Sequence, residues 1–585
     1  MGIFSKRLMY SNAEESEANW SAWTNGNNTV YTQTDEPEII CDWTFSSPNN
    51  IANKITAVGN NTITSNGITY TRDKNSDRND KITAFFFSIQ TDIHTANNKT
   101  FEIPIKNTTY INALNVDWGD GTQETINNIA YPSHTYAQTG TYQIKISAES
   151  GCMPYFYYKT NISQQVISVD SALLTFYNGT TKLTSWGSTY GFGVSFTNLE
   201  YIPTSILFLN RDATALPRTF DSSKLLKLPK NMFKYNKKIT NLQSTFYATK
   251  ITEIPEGFFD GLESLTQTSA CFESSTLTTI PYKLFKNNKK ISIINSLFRR
   301  CSNLTLTPAE VLNRLFDGTD YTNYGKITMD SLLGSVPTTT KTNLTEAYLD
   351  KFKEIRGSFY SCCDEWILDE IPSGIFDKYT TETIFSRCFQ NCASLKTVPE
   401  RLFEKNVAAI DFQRCFSGCS FLLMNSNIFC NEATDITTRF ANVSPDFSYC
   451  FYYTGTSTKR TGTGTAPQLW NYTFAYADTL VESTNTISDF NKTSRTLTTD
   501  EGEVFTYNSS LKLASSSTIY KWISNSDSSK MLYTTVSYSS VSLTAKLYNI
   551  ENIMGGGVKS NACFGANSNS IPKISNYSSI PSSWR

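Results

Sequence analysis

"TFDSSKLLKLPKNMF" (219–233), "TFYATKITEIPEGFF" (245–259) and "CFESSTLTTIPYKLF" (271–285) are three versions of one pattern. Their leading phenylalanines are Phe220, Phe246 and Phe272, and Phe298 follows in "LFRRCSNL", each step 26 residues. Pro229, Pro255 and Pro281 keep the same step, as do Phe233, Phe259 and Phe285. Looser copies continue with "SFYSCCDEWILDEIPSGIF" at Phe359, "CFQNCASLKTVPERLF" at Phe389 and "CFSGCSFLLMNSNIF" at Phe416. A unit this short cannot cover its own apolar side, so such units gain a core only by stacking on their neighbours.

A fixed period of about 20 to 29 residues, with a short strand and a Leu/Ile-Pro-x-x-Leu/Phe turn, predicts a leucine-rich-repeat solenoid. It is expected over 151–479, with a terminal repeat or cap at 556–585. The wording of the units, "CFQNCASLKTVPERLF" above all, is similar to the BspA-type leucine-rich repeats of gut-bacterial surface adhesins, whose phages carry similar repeats. That resemblance implies attachment to surfaces.

Thirteen cysteines would suggest a disulfide framework, but the register argues otherwise. The residue before each leading Phe reads Thr219, Thr245, Cys271, Leu297, Ser358, Cys388, Cys415, Cys450, Cys563. The third residue after it reads Ser223, Thr249, Ser275, Cys301, Cys362, Cys392, Cys419, Thr454, Asn567. Exchange with Ser and Thr fits small buried side chains, and stacked equivalents carry roughly parallel Cβ vectors, which disfavours bridges. Reduced thiols are therefore expected.

Two segments interrupt the period. Residues 317–350 leave room for one degenerate unit plus a loop. Residues 480–555, Ser/Thr-rich with strand-like alternation, read as a β insertion. An insertion of this kind serves either as a binding face or as a cap on the last unit.

Ahead of the repeats, "NVDWGDGTQETI" (115–126) places Gly119-Asp120-Gly121 where a hairpin turn needs φ > 0. In "GTYQIKI" (140–146), Tyr142, Ile144 and Ile146 alternate with Gln143 and Lys145, the pattern of a half-solvated strand. Asp117 to Thr122, His134-x-Tyr136 and Gly140-Thr-Tyr142 resemble the polycystic-kidney-disease (PKD) domain, an immunoglobulin-like module of many exported bacterial proteins. Over 81–150 this implies a spacer or binding β-sandwich with no chemistry of its own. Asp117, Asp120 and His134 could be weighed as metal ligands. A DxxD with one distant His is poor support for that, and Asp120 is expected to cap its turn with His134 bonding back to the loop.

Residues 39–80 read as a small strand-rich unit with a turn at Asn66-Gly67. Residues 1–38 are either a disordered tail or a docking arm whose Trp20 and Trp23 bury in a partner. The start "MGIFSKRLMYSNAEESEANW" has no apolar signal stretch, Lys6 breaks the myristoylation pattern, and no run reaches the ~20 apolar residues of a membrane span.

Net charge of −1, 18% charged residues and the lack of a long basic or acidic block give no indication of electrostatic capture of nucleic acid or anionic membrane. Only two histidines, His94 and His134, are available for acid–base or metal work. Hydrolase, metalloprotease, phosphate-loop and dinucleotide fingerprints are missing, "GGGVKS" (555–560) lacking the phosphate-loop spacing. Cys388-x-x-x-Cys392 and Cys415-x-x-x-Cys419 are better explained by their columns than by zinc. Asp364-Glu365 and Asp369-Glu370 are expected as exposed charge.

The expectation is thus a mainly β, non-enzymatic chain without cofactor, catalytic or metal residues, its ligand-binding residues left open. It is expected to be a virion protein of a phage, a tail fibre or a head fibre or capsid decoration, made in the host cytoplasm. Its N-terminal region is expected to contact other virion proteins and its body host-surface or mucus glycans, and a homo-oligomer is expected, with a trimer among the options. The alternative is a BspA-type adhesin on a bacterial cell surface.

Overall fold

The structure, a computed structural model, describes residues 20–25, 28–33, 39–42, 55–65, 67–73, 84–91, 99–105, 114–127, 131–147, 152–154, 156–157, 165–178, 181–186, 190–191, 196–316, 324–335, 343–381, 383–474, 477–512, 518–553, 563–564 and 574–585. The protein is mainly β, 24% strand and 7% helix, with several sheets, one of them curled into a half-barrel. The chain divides into two compact units, one of Met1–Thr342 with Asp350–Gly357, the other of Asn343–Leu349 with Ser358–Arg585.

The first unit opens with β1 (Trp20–Asn25), β2 (Asn28–Gln33), β3 (Ile39–Asp42), β4 (Ile55–Val58), β5 (Thr62–Ser65) and β6 (Ile68–Arg72). They form one sheet in the order β3-β2-β1-β6-β5-β4, so the division expected at 38–39 falls inside a single sheet. Trp23 is not a free docking residue. Its ring is buried with Ile63 and Tyr70 under the Arg72 guanidinium, 5.2 Å from the ring centre. Trp20 pairs with Gln33 at the end of β1. Its side chain, residues 1–19 of the expected arm and Asn66 lie outside the described residues.

β7 (Ala84–Gln90), β8 (Thr100–Glu102), β9 (Leu114–Asp117), β10 (Gln123–Ile126), β11 (Ser133–Thr135) and β12 (Thr141–Ser147) follow, then β13 (Cys152–Pro154), β14 (Phe156–Tyr157) and β15 (Val166–Val169). Five of these make a sheet in the order β10-β9-β12-β7-β15, and β11 pairs with β8. Phe87 of the larger sheet meets Phe101 of β8 with ring centroids 6.0 Å apart, joining the two layers.

Alternation in β12 placed Gln143 toward solvent. Gln143 is instead buried, because Asp170 lies over that face and accepts a 2.9 Å hydrogen bond from its Nε2. Ser88 Oγ and Ser168 Oγ each donate to the same carboxyl at 2.6 Å. A buried carboxyl is tolerated when hydrogen-bonded, and burial pushes its pKa up.

β15 belongs to two structures. On one side it pairs with β7. On the other, Ser168 bridges in parallel to Tyr201, and Val169 N donates to Tyr201 O at 3.0 Å. The boundary expected at 150–151 therefore does not divide the chain.

β16 (Thr175–Asn178), β17 (Thr181–Lys182) and β18 (Tyr190–Gly191) make small pairings. Beyond them the first unit is a series of turn-rich coils joined by parallel bridges running Ser185, Ala215, Asn241, Gln267, Ile293, Thr328. Thr240 Oγ1 donates to Thr214 O at 3.1 Å and Thr266 Oγ1 to Thr240 O at 3.0 Å, and Ser292 and Thr328 extend this ladder. Phe220, Phe246 and Phe272 stack with centroids 5.5 Å apart and planes within 9°, and Phe298 continues at 6.2 Å. Near-parallel rings at that spacing are offset stacks, the favoured arrangement.

The backbone is left-handed two residues before and two after each of these rings, at Arg218 and Ser222, Ser244 and Ala248, Ala270 and Ser274, Ser296 and Arg300. Each costs about 1–3 kcal/mol and persists only where its surroundings over-determine it. Here Ser244 N and Ala248 N are held at 2.9 and 2.8 Å by Ser269 O and Glu273 O of the next coil. Ser331 and Ser335 carry the same signature around Leu333, and Phe298 N donates to Leu332 O at 3.1 Å. The degenerate unit expected within 317–350 thus has Leu333 in the aromatic's place. Helix α1 (Pro308–Leu315), started by a Thr307–Glu310 capping box, replaces one turn and accepts from Leu284 N and Phe285 N. The other helix, α2 (Glu346–Arg356), divides its residues between the two units.

In the second unit Phe389, Phe416, Phe451 and Phe564 stack at 5.4, 5.7 and 5.2 Å. A second column of Phe359, Phe385, Phe412 and Phe447 stacks at 5.5, 5.4 and 5.4 Å. Phe359 therefore does not lead its unit, a correction of four residues. Cys363 N donates to Cys388 O at 2.9 Å as Phe389 N does to Cys415 O, which puts Cys363 in the leading place and Cys362, not Ser358, before it. β19 (Thr383–Ile384) and β20 (Ala409–Asp411) form a short parallel pair.

The chain then makes β21 (Ala477–Glu482), β22 (Ile487–Asn491), β23 (Thr496–Thr499), β24 (Val504–Lys512), β25 (Thr518–Ser524), β26 (Met531–Thr534) and β27 (Tyr548–Ile553). They form a seven-stranded antiparallel sheet, β21-β27-β26-β25-β24-β23-β22, around Trp522, Leu497, Phe505 and Leu547. Because β21 and β27 are neighbours, the excursion leaves and returns side by side. The chain then lays Phe564 on Phe451 and bridges Ile574 to Gly464.

Candidate functional site

The β9–β10 hairpin turns through Asp117-Trp118-Gly119-Asp120-Gly121-Thr122. Asp117 Oδ1 accepts from Gly119 N and Asp120 Oδ1 from Thr122 N, each at 3.0 Å, the Asx-turn chemistry that makes Asp a turn residue. Gly119 has φ +81°, and a Cβ there would stand 2.3 Å from Gln143 O, so no other residue fits. His134 on β11 brings Nε2 to 2.7 Å from Asp120 Oδ2. Its ring stacks on Trp118 at 5.2 Å and meets the Tyr136 ring edge-on at 4.6 Å. Tyr136 OH donates to Trp118 O at 2.9 Å. Burial raises the Asp120 carboxyl, but hydrogen bonds from His134 and Thr122 outweigh it and hold its pKa below the ordinary value.

The three residues weighed as metal ligands are thus committed to the turn, Asp117 Oδ2 also accepting from Gln123 Nε2 at 2.8 Å. Among the described residues no group of three or more His, Cys, Asp or Glu side chains is placed to hold a metal. His94 and the "GGGVKS" segment lie outside the described residues.

Beside this hairpin, one sheet face carries a cleft of about 300 Å³ lined by Asn115, Val116, Asp117, Gln123, Glu124, Thr125, Lys145 and Ser147. Registered pairing sets Gln123 opposite Asp117 and Thr125 opposite Asn115. Thr125 Oγ1 donates to Asn115 Oδ1 at 2.7 Å, and Trp118 Nε1 holds Glu124 Oε1 at 2.8 Å. Amide, hydroxyl, carboxylate and ammonium groups here suit a polar ligand held by hydrogen bonds. Sequence reasoning missed the cleft. Its signal was the polar residues alternating on both strands, Asn115 and Asp117 against Gln123 and Thr125.

Along the coils, buried polar groups serve the backbone. Ser223, Thr249 and Ser275 donate to Phe220 O, Phe246 O and Phe272 O. Cys301, Cys392 and Cys419 donate to Phe272 O, Cys363 O and Phe389 O at 3.0–3.1 Å. The Cys/Ser/Thr exchange in this column is therefore an exchange of small donors, and of the thiols considered for zinc Cys392 and Cys419 face carbonyl oxygens. Asn236, Asn288 and Asn406 each donate to two carbonyls of the preceding coil. Arg439 takes over that role toward Phe403 O and Asn406 O, burial lowering its pKa to about 10.

The eleven cysteines whose side chains are described form no disulfide and are buried. Burial pushes the Cys301 thiol up to about 12 and Cys392 well above its ordinary range, leaving little thiolate for attack or ligation at neutral pH. Asp364, expected on the surface, is buried. No helix among the described residues is long and apolar enough to cross a membrane. Comparison with protein-family profiles and with curated proteins yields no match to either.

Proposed function

We propose that this chain is a non-enzymatic structural protein of a phage virion, a tail fibre or a head fibre or decoration protein. On this reading the two-layer β unit of 84–169 is a PKD-like sandwich, and the coils are a leucine-rich-repeat solenoid carrying the seven-stranded sheet as an insertion. The body meets host-surface or mucus glycans, the N-terminal region meets other virion proteins, and the chain is a homo-oligomer.

The observation that carries the reading is the in-register column of phenylalanines within each unit. It comes with buried Ser, Thr, Cys and Asn side chains spent on backbone carbonyls, an arrangement suited to displaying surface rather than to reaction. The polar cleft at Asp117, Glu124 and Lys145 is the first place to look for a glycan contact. Free thiols fit synthesis and folding in a reducing cytoplasm. The repeat wording also favours a second reading, a BspA-type adhesin on a bacterial surface. Mass spectrometry of purified virions separates the two: the chain is expected among the particle's proteins, and its recovery only from bacterial envelopes refutes the first reading.

A further inference from the structure

Cys362 and Cys388 occupy equivalent places in adjacent coils of the second unit. They are bracketed by the bonds Ser361 N to Ser386 O at 3.0 Å and Cys363 N to Cys388 O at 2.9 Å. Hydrogen-bonded neighbours lie about 4.8 Å apart, inside the Cα separation of about 4.4–6.8 Å that a disulfide spans. Parallel Cβ vectors should hold such sulfurs apart, yet Cys362 Sγ lies 3.2 Å from Cys388 Sγ. A disulfide bond is about 2.05 Å long, so the remaining gap is about 1.2 Å, within reach of small side-chain rotations.

The neighbouring thiols are less suited. Cys363 Sγ is 3.5 Å from Cys362 Sγ, but bridging sequence neighbours closes a small ring across a peptide bond that resists twisting. The S–H groups of Cys392 and Cys419 are directed at carbonyl oxygens.

We propose that Cys362 and Cys388 are a latent disulfide pair, closed by a small peroxide-type oxidant and stapling one coil to the next. With hydrogen peroxide, one sulfur attacks a peroxide oxygen, giving a sulfenic acid and one water. The second thiol then displaces the sulfenic hydroxyl as a second water, and the S–S bond forms. Two thiols and one peroxide become one disulfide and two waters. Both sulfurs are buried, so closure is slow in the folded protein and proceeds through brief local opening. The pair stays reduced where thiol buffers prevail and closes after release into oxidising surroundings. The chemistry holds whether the chain sits in a particle or on a cell.

The test uses the full chain, purified reduced and without oxygen, treated with hydrogen peroxide, blocked with N-ethylmaleimide and digested without reductant. The free-thiol count is expected to fall by two from thirteen, with one cross-linked peptide joining Cys362 to Cys388 and full recovery in dithiothreitol. Cys388→Ser and Cys362→Ser should each abolish the cross-link, whereas Cys363→Ser and Cys415→Ser should keep it. The column already accepts Thr219 and Thr245, so serine suits the fold. Thirteen thiols surviving a dose that oxidises the unfolded chain, a bridge through another pair, or sulfinic acid at Cys362 without a bridge would each overturn the proposal.

Discussion

Asp411 and Asp446 stand at equivalent positions in adjacent coils, joined by a parallel bridge. Each carboxylate accepts the N–H two residues on, Gln413 N and Ser448 N, both at 2.7 Å. Burial, reinforced by the Asp446 charge and opposed by the Gln413 N–H, raises the Asp411 pKa from 3.8 to about 6. At 1.36 kcal/mol per pH unit the rise corresponds to roughly 3 kcal/mol. Asp411 keeps partial contact with solvent, which screens its charge and reduces the expectation to about 1–2 kcal/mol. Because the folded pKa is the higher one, the protonated form favours folding. That stability is full below about pH 4 and is lost as pH rises through 6.

Asp411→Asn keeps an oxygen for Gln413 N and carries no charge, so it should match the native protein near pH 4 and exceed it above pH 7. For a unit of this size, 1–2 kcal/mol is a rise of about 2–8 °C in the melting temperature of the second unit's transition. Scanning calorimetry of both full-length proteins from pH 4 to 8 measures it. A gap independent of pH, or a variant less stable than the native protein at pH 8, refutes the reasoning.

Phe246→Ala, removing a ring stacked on both sides, should cost about 3–5 kcal/mol in urea unfolding of the first unit. Cys301→Ser should stay close to native, whereas Cys301→Val, which removes one donor from Phe272 O and leaves it the hydroxyl and N–H of Ser275, should cost about 0.5–1.5 kcal/mol. The same urea midpoints decide both. Asn288→Ala removes one donor from each of two carbonyls, Phe259 O and Leu262 O, which keep the N–H groups of Leu262 and Leu265, and should lower the urea midpoint more than Cys301→Val, which removes a donor from one. His134→Ala removes the 2.7 Å bond to Asp120 and the stack on Trp118, and the melting temperature of the first unit should drop.

The coils were legible because a 26-residue period forces equivalent side chains into columns, and Phe220, Phe246 and Phe272 alone mark them. The register failed at Phe359 because later coils carry two phenylalanines four residues apart, as in Phe385 and Phe389. In "SFYSCC" the second of these is Cys363, so the surviving aromatic marked the wrong column. Trp23 was misread because two tryptophans in polar sequence give no sign of their strand partners, and β6, which supplies Tyr70 and Arg72, lies some fifty residues on. The Asp120–His134 contact was foreseeable because turn chemistry is local. The burial of Gln143 was not, since its partner Asp170 arrives from beyond the expected end of that unit.

The strand Val166–Val169 has a mechanical consequence. A swivel between two folded parts of a chain needs a stretch with few bonds to either side, and here the joining strand is sewn into both. Force applied across the join passes through the seam with β7 and the seam with Tyr201 in series, so both must hold for the join to hold. Whatever bending the first unit allows must come from elsewhere, and pulling on its ends should meet resistance at this join before any loosening of it.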